Sequence, residues 1–134
     1  MNRRVRAYRV NFAVFPVAVV VAMSLFAVAQ GLGFRNAPAS ASQMKNPYSG
    51  DAQAAAGGKK LYSQNCSQCH GNNLHGIGPA PTLVSPSVKS ASDGELFWFV
   101  TNGDLNKGMP SWSNLPKQQR WQIVTYVKSK NEGQ

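Results

Sequence analysis

The chain has two cysteines, Cys66 and Cys69, and they stand three positions apart with His70 directly after the second. No other stretch narrows the available folds so sharply. Thiols at that spacing suit a thioredoxin-like dithiol, half of a zinc site, a small disulfide, or a pair of covalent attachment points. A zinc site needs a second ligand pair, and the other histidine of the chain is His75 alone. A thioredoxin-like site sits in βαβ patterning, which the flanking sequence lacks. A disulfide across two intervening residues closes too small a loop to stabilise much. What remains is Cys66-Ser67-Gln68-Cys69-His70 as a c-type haem attachment site, with a redox dithiol as the alternative. In the first reading each sulfur forms a thioether to one vinyl group of a porphyrin, and His70 is carried beneath the ring as an iron ligand. One such motif implies one covalent haem c, held through Cys66 and Cys69.

At 134 residues the chain has room for one small domain and a leader. Lys and Arg outnumber Asp and Glu by 14 to 5, but Arg3, Arg4, Arg6 and Arg9 all precede the first apolar run. The remaining surplus is modest and forms no basic cluster with interleaved aromatics, so nucleic-acid binding is not indicated. The arginines are a positively charged leader, followed by an apolar run from Val10 to Ala29. Ala27-Val28-Ala29 offers a small-x-small cleavage site. The run also approaches the ~20 residues that span a bilayer. Residues 1–34 therefore read as a signal peptide or an N-terminal membrane anchor. Both put the rest of the chain outside the cytoplasmic membrane, in the periplasm, free after cleavage near Ala29 or tethered through residues 10–29.

Residues 35–52 are rich in Ala, Ser, Asn, Pro and Gly without a hydrophobic period and read as a flexible linker. Residues 53–134 hold the domain. A helix is expected from Ala52 to Asn65, leading into Cys66, with Gly57 and Gly58 placed for close approach by another element. The Gly- and Pro-rich stretch after His70 reads as a loop around one side of the ring. Ser92 and Glu95 form a capping box that starts a helix at Asp93, and Gly103 ends it. Pro116 opens a last helix to about Ser129, with Ile123, Val124 and Val127 as its buried centre and Trp121 and Tyr126 at the flanks. The fold class is all-α: three or more short helices and long loops wrapped around the porphyrin, which supplements a small apolar inventory.

Met109 lies in Gly108-Met109-Pro110, far enough downstream for the chain to cross from one ring face to the other. A methionine usually fills gaps in a core. This one sits in a non-periodic loop, and His/Met is a known c-type pairing, so Met109 is the candidate second axial ligand. His75, five residues from His70, reads as a surface histidine. Trp112, three past Met109, is the aromatic best placed to touch the haem or a propionate. Leu83, Phe97, Trp98 and Phe99 are further candidates for an apolar surround.

From about Ala54 to Lys130 the sequence resembles the class I cytochromes c, the small monohaem bacterial type. The matching pieces are Gly58, Tyr62, Cys66-Ser67-Gln68-Cys69-His70-Gly71, Gly78-Pro79-Ala80-Pro81-Thr82-Leu83, Gly108-Met109-Pro110-Ser111-Trp112 and Arg120-Trp121 with Tyr126. The resemblance implies that Gly58 and Tyr62 meet Tyr126, and that the Pro81 carbonyl accepts from the free ring N–H of His70, with Pro79 as the fallback. It also implies redox partners such as a periplasmic dehydrogenase, a quinol-oxidising complex or a terminal oxidase. Iron with His70 on one face and Met109 on the other has no vacant position, which points to outer-sphere electron transfer rather than catalysis. No general acid or base stands in a recognisable site, so the expectation is an electron carrier and not an enzyme. Lys59, Lys60, Lys89, Lys107 and Lys117 could steer an acidic partner to the haem edge or simply keep a surface soluble. Two other readings stay open: an electron-transfer subunit fixed to a membrane-bound or dehydrogenase complex, and a haem enzyme or sensor with a displaceable Met109.

Overall fold

The structure, a computed structural model, describes residues 36–132. The leader, residues 1–34, lies outside the described residues. Within them the order is α1 (Ala39–Ser42), α2 (Ala52–Asn65), α3 (Ser67–His70), α4 (Pro86–Ser90), α5 (Asp93–Asn102), a 3-10 turn (Leu105–Lys107) and α6 (Lys117–Glu132). Among the described residues there is no strand, only an isolated bridge between Asp104 and Met109. The all-α expectation holds, with α1, α3 and α4 added to the three helices read from the sequence.

Helix α2 begins where Asp51 accepts from the backbone N–H groups of Gln53 and Ala54, satisfying donors that the helix itself cannot. Helix α5 begins at the capping box: Ser92 Oγ accepts from Glu95 N, and Ser92 N donates to Glu95 Oε2 at 2.7 Å. Helix α6 starts one residue after Pro116, whose carbonyl accepts from Arg120 N. It runs past Ser129 to Glu132 because Asn131, near its end, finds partners outside the helix. Asn131 Nδ2 donates to Leu83 O at 2.9 Å and its Oδ1 accepts from Ser85 N, so the buried amide is satisfied and the last turn is held.

The main packing is α2 across α6. A side chain at Gly58 would overlap the carbonyl oxygen of Gln122 and press on Tyr126 Cβ, so glycine is what lets the two backbones touch. One turn on, Tyr62 and Tyr126 meet with ring centroids 5.3 Å apart and planes tilted by 56°. Helix α6 is buried through Trp121, Ile123, Val124, Thr125, Tyr126 and Val127, a wider face than the stripe expected from the wheel. Neighbours on several sides account for this: α2, α5 and α4 all pack on it. Phe97 of α5 stacks on Trp121 with centroids 3.9 Å apart, so it serves helix–helix packing.

The stretch expected as a flexible linker is packed instead. Ala41 is 1% exposed, and Met44 and Tyr48 pack against the core. Gly94 admits the strap: a Cβ there would overlap Ala41 O. Asn46 Nδ2 donates both to Asp93 Oδ2 (2.8 Å) and to Thr125 Oγ1 (3.0 Å), joining the strap to α5 and α6. Composition missed this because the strap is held by one asparagine, backbone approach and isolated apolar contacts rather than by a periodic apolar face.

Gly58→Ala is expected to destabilise the haem-loaded protein by about 3 kcal/mol, because the clash is with backbone that cannot swing away. Gly57→Ala, which would meet only the end of the Gln122 side chain at 3.4 Å, should change stability by no more than about 1 kcal/mol, in the stabilising direction. Asn46→Ala should cost about 3 kcal/mol by removing three part-buried hydrogen bonds, the two that Nδ2 donates and the one that Oδ1 accepts from Tyr48 N. Thermal or denaturant unfolding measures all three.

Candidate haem site

Cys66 ends α2 and begins α3. Its N–H donates to Tyr62 O, closing the first helix, and its carbonyl accepts from Cys69 N (3.2 Å) and His70 N (2.9 Å), opening the second. At this corner the backbone leaves the helical region, with φ −120° and ψ −30°. Cys66, Cys69 and His70 are thereby gathered on one turn. Cys66 is half-buried, Cys69 exposed, and the two thiols form no disulfide. Burial, and then the neighbouring Cys69, push the Cys66 thiol up to about 11. No group of three or more His, Cys, Asp or Glu that could hold a metal ion occurs among the described residues.

The loop after His70 is stitched back on itself. Gly76 N donates to His70 O, Ile77 N to Cys69 O, and Leu83 N to Leu74 O at 2.7 Å. Tyr62 reaches from α2 to donate its hydroxyl proton to Gly71 O at 2.7 Å. Leu74, 3% exposed, sits at φ 65°, an uncommon conformation for a side chain of its size. Its carbonyl also accepts from Thr82 Oγ1. This lacing brings Pro81 O to 3.0 Å from His70 Nδ1. Pro81 rather than Pro79 is therefore the partner, and Nδ1 is engaged as donor, leaving Nε2 as the lone-pair nitrogen.

Met109 and Trp112 belong to a second unit. Asp104 N donates to Met109 O (2.9 Å) and Met109 N to Asp104 O (3.0 Å). Trp112 N donates to Val100 O and Ser111 Oγ to Thr101 O, so the loop is hung from the C-terminal end of α5. Both Met109 and Trp112 are half-buried. His75 is exposed, as are Lys59, Lys60, Lys89, Lys107 and Lys117. Lys107 lies 3.6 Å from Asp104. Trp98 and Phe99 are half-buried and meet edge to face, and Leu83 packs against the core.

Sequence reasoning missed Leu74, Asn131, Asn46 and the Tyr62 hydroxyl bond. None leaves a local signal, because each acts on a partner distant along the chain or through backbone conformation.

The residues present fit a covalently held porphyrin: two unpaired thiols on one turn, and beside them an imidazole with Nδ1 already occupied. A small all-α domain with that site is a c-type cytochrome domain. Residues 53–127 match the family model described as cytochrome c oxidase, cbb3-type, subunit III. The cbb3-type cytochrome c oxidase subunit CcoP of Azospirillum brasilense is 35% identical over 75 residues, 51% of this chain and 25% of that protein. The crystal structure of cytochrome CL from the marine methylotroph Methylophaga aminisulfidivorans superposes with a TM-score of 0.55 at 30% identity, covering 63% of this chain and 58% of that one. The chain belongs to the cbb3-type subunit III family of cytochrome c domains, whose cofactor is covalent haem c and whose work is electron transfer. It spans a quarter of the length of the curated relative it matches and just over half of the solved one.

Burial pushes the phenols of Tyr62 and Tyr126 above the ordinary 10.0. Above pH 10 the unfolded chain releases these protons while the folded chain keeps them, so stability is full below that value and falls as pH rises. Tyr62→Phe should lose about 1 kcal/mol at neutral pH, from the bond to Gly71, yet show a shallower alkaline loss. Unfolding measured from pH 8 to 11 checks both limbs.

Proposed function

We propose that the chain is an exported electron carrier that takes up and gives away single electrons at a haem held by Cys66 and Cys69 and ligated by His70 and Met109. The observation that carries this is the bond between His70 Nδ1 and Pro81 O, with the thiols beside it unpaired. Bound haem iron supplies a one-electron couple. The residues of the chain decide how that couple is set. Pro81 O accepts from Nδ1–H, fixes the imidazole plane and raises its basicity as a ligand through Nε2. Cys66 and Cys69, as thioethers, prevent loss of the group. Met109, a soft thioether donor, would hold the iron on the side away from His70 and would favour its reduced state. A haem held by His70 and Met109 would have no position left for a substrate, and the chemistry it would supply is outer-sphere transfer, that of a carrier rather than a catalyst. Trp112, three residues past Met109 and tied by its N–H to Val100 O, is assigned to the ring surround.

The likeness to an oxidase subunit supports a terminal oxidase as the acceptor, ahead of a dehydrogenase or a quinol-oxidising complex. It also supports a second reading, in which the domain is the electron-entry part of such a complex and does not diffuse. The exposed lysines suit brief docking of an acidic partner. Read as a leader, residues 1–34 would deliver the domain to the periplasm, as a free protein or on a membrane tether through residues 10–29. No helix among the described residues is long and apolar enough to cross a membrane.

Met109→Ala is expected to abolish the weak near-infrared band of oxidised iron–sulfur coordination and to lower the midpoint potential, while mass spectrometry still finds the haem attached. Retention of the band would sink the assignment of Met109. Release from membranes by high salt, with a new N-terminus near Gln30, identifies the diffusing carrier; retention with an intact N-terminus identifies the tethered form, and co-purification with oxidase subunits in mild detergent then identifies the fixed subunit.

A further inference from the structure

We propose that Arg120 is a positioning residue for the Met109 loop, acting from α6 through Thr101; this rests on the reading of Met109 as an axial ligand. Arg120 Nη1 donates to Thr101 Oγ1 at 2.6 Å, and its guanidinium carbon lies 5.0 Å from the centre of the Phe97 ring. Thr101 Oγ1 in turn donates to Phe97 O at 2.7 Å, so that hydroxyl is fixed in both roles. The same residue's carbonyl accepts from Ser111 Oγ at 2.7 Å, and the carbonyl before it, Val100 O, accepts from Trp112 N. With the paired bonds between Asp104 and Met109, residues 100–104 and 109–112 form a closed frame around the sulfur-bearing residue. Arg120 grips that frame at its root from a different helix.

The cation is poorly provided for in return. Arg120 Nε is buried and has no hydrogen-bond partner, and among the described residues no carboxylate pairs with the side chain. A part-buried guanidinium with an unmet donor costs stability, and an apolar side chain of similar volume is often neutral or better at such a place. What the arginine has that an apolar side chain would lack is its contact with the Phe97 ring and a directed bond to Thr101.

The test uses the haem-loaded protein and imidazole as an external ligand, which binds ferric iron only when the Met109 sulfur moves away. Arg120→Met should speed imidazole binding about five- to tenfold, the change that loss of one net hydrogen bond produces. Its thermal midpoint should stay level or rise. Arg120→Lys, which keeps one donor, should recover part of the parent rate. Ser111→Ala, at an exposed position, should act in the same direction as Arg120→Met. The double variant should fall short of the product of the two effects, because both work through Thr101. A rate within about twofold of the parent in both single variants overturns the proposal. So does a faster rate in Arg120→Met that comes only with a lower midpoint. If Arg120→Met does not mature, an unchanged rate in Ser111→Ala overturns it alone. Absence of the near-infrared band in the parent protein would instead overturn the Met109 assignment, and this proposal with it.

Discussion

The backbone contact between α2 and α6 is the constraint from which the rest of the domain takes its position. Gly58 has no side chain to hold Gln122 away, so the two helices approach to touching distance. Tyr62, one turn further along α2, packs on Tyr126 and extends its hydroxyl to Gly71 O. The same helix ends at Cys66, where the chain turns and starts again as α3. Thiol placement, imidazole placement and the start of the following loop are thus inherited from one helix crossing. A shift at Gly58 would be felt at His70 without any direct contact between them.

From that crossing the chain builds two loops by the same device. Residues 71–83 are laced by backbone hydrogen bonds back to the α3 turn, and residues 104–112 are hung from the end of α5. Neither loop rests on a large apolar core of its own. A small domain with little core must order such loops by satisfying their backbone groups, since unpaired buried amides would cost more than the packing returns. One loop ends in a carbonyl that orients an imidazole, the other in a framed methionine. In the proposed ligation this separation lets the two faces of the iron be set independently.

The sequence made the helices legible where local chemistry decides them. Asp93 and Gly103 bound α5 through a capping box and a glycine stop, and Ala52–Asn65 is helical over the whole span that its composition favours. The site motif was legible for the same reason, since Cys66, Cys69 and His70 are neighbours in the chain. Pro81 needed a resemblance to be picked out, because nothing local ties it to a histidine eleven positions earlier. The strap of residues 36–51 was misread, since Asn46 looks like any polar linker residue until Asp93 and Thr125 are seen around it. Asn131 extended α6 by the same logic. Long-range polar contacts made by single side chains leave no periodic trace, and pattern reading is blind to them.

Three places break local preference, and all adjoin the two loops. Leu74 takes φ 65°, a conformation that costs a bulky residue of order 1 kcal/mol. Cys66 leaves helical geometry between two helices. Arg120 buries a donor without a partner. Elsewhere the caps, the glycines at crossings and the satisfied amides agree with the fold they specify. At 120 an apolar residue would relieve the unmet donor, whereas at 74 a glycine would relieve the backbone only by giving up a buried leucine. Their grouping around the imidazole-bearing and sulfur-bearing loops is what a domain shaped for holding one metal centre should show.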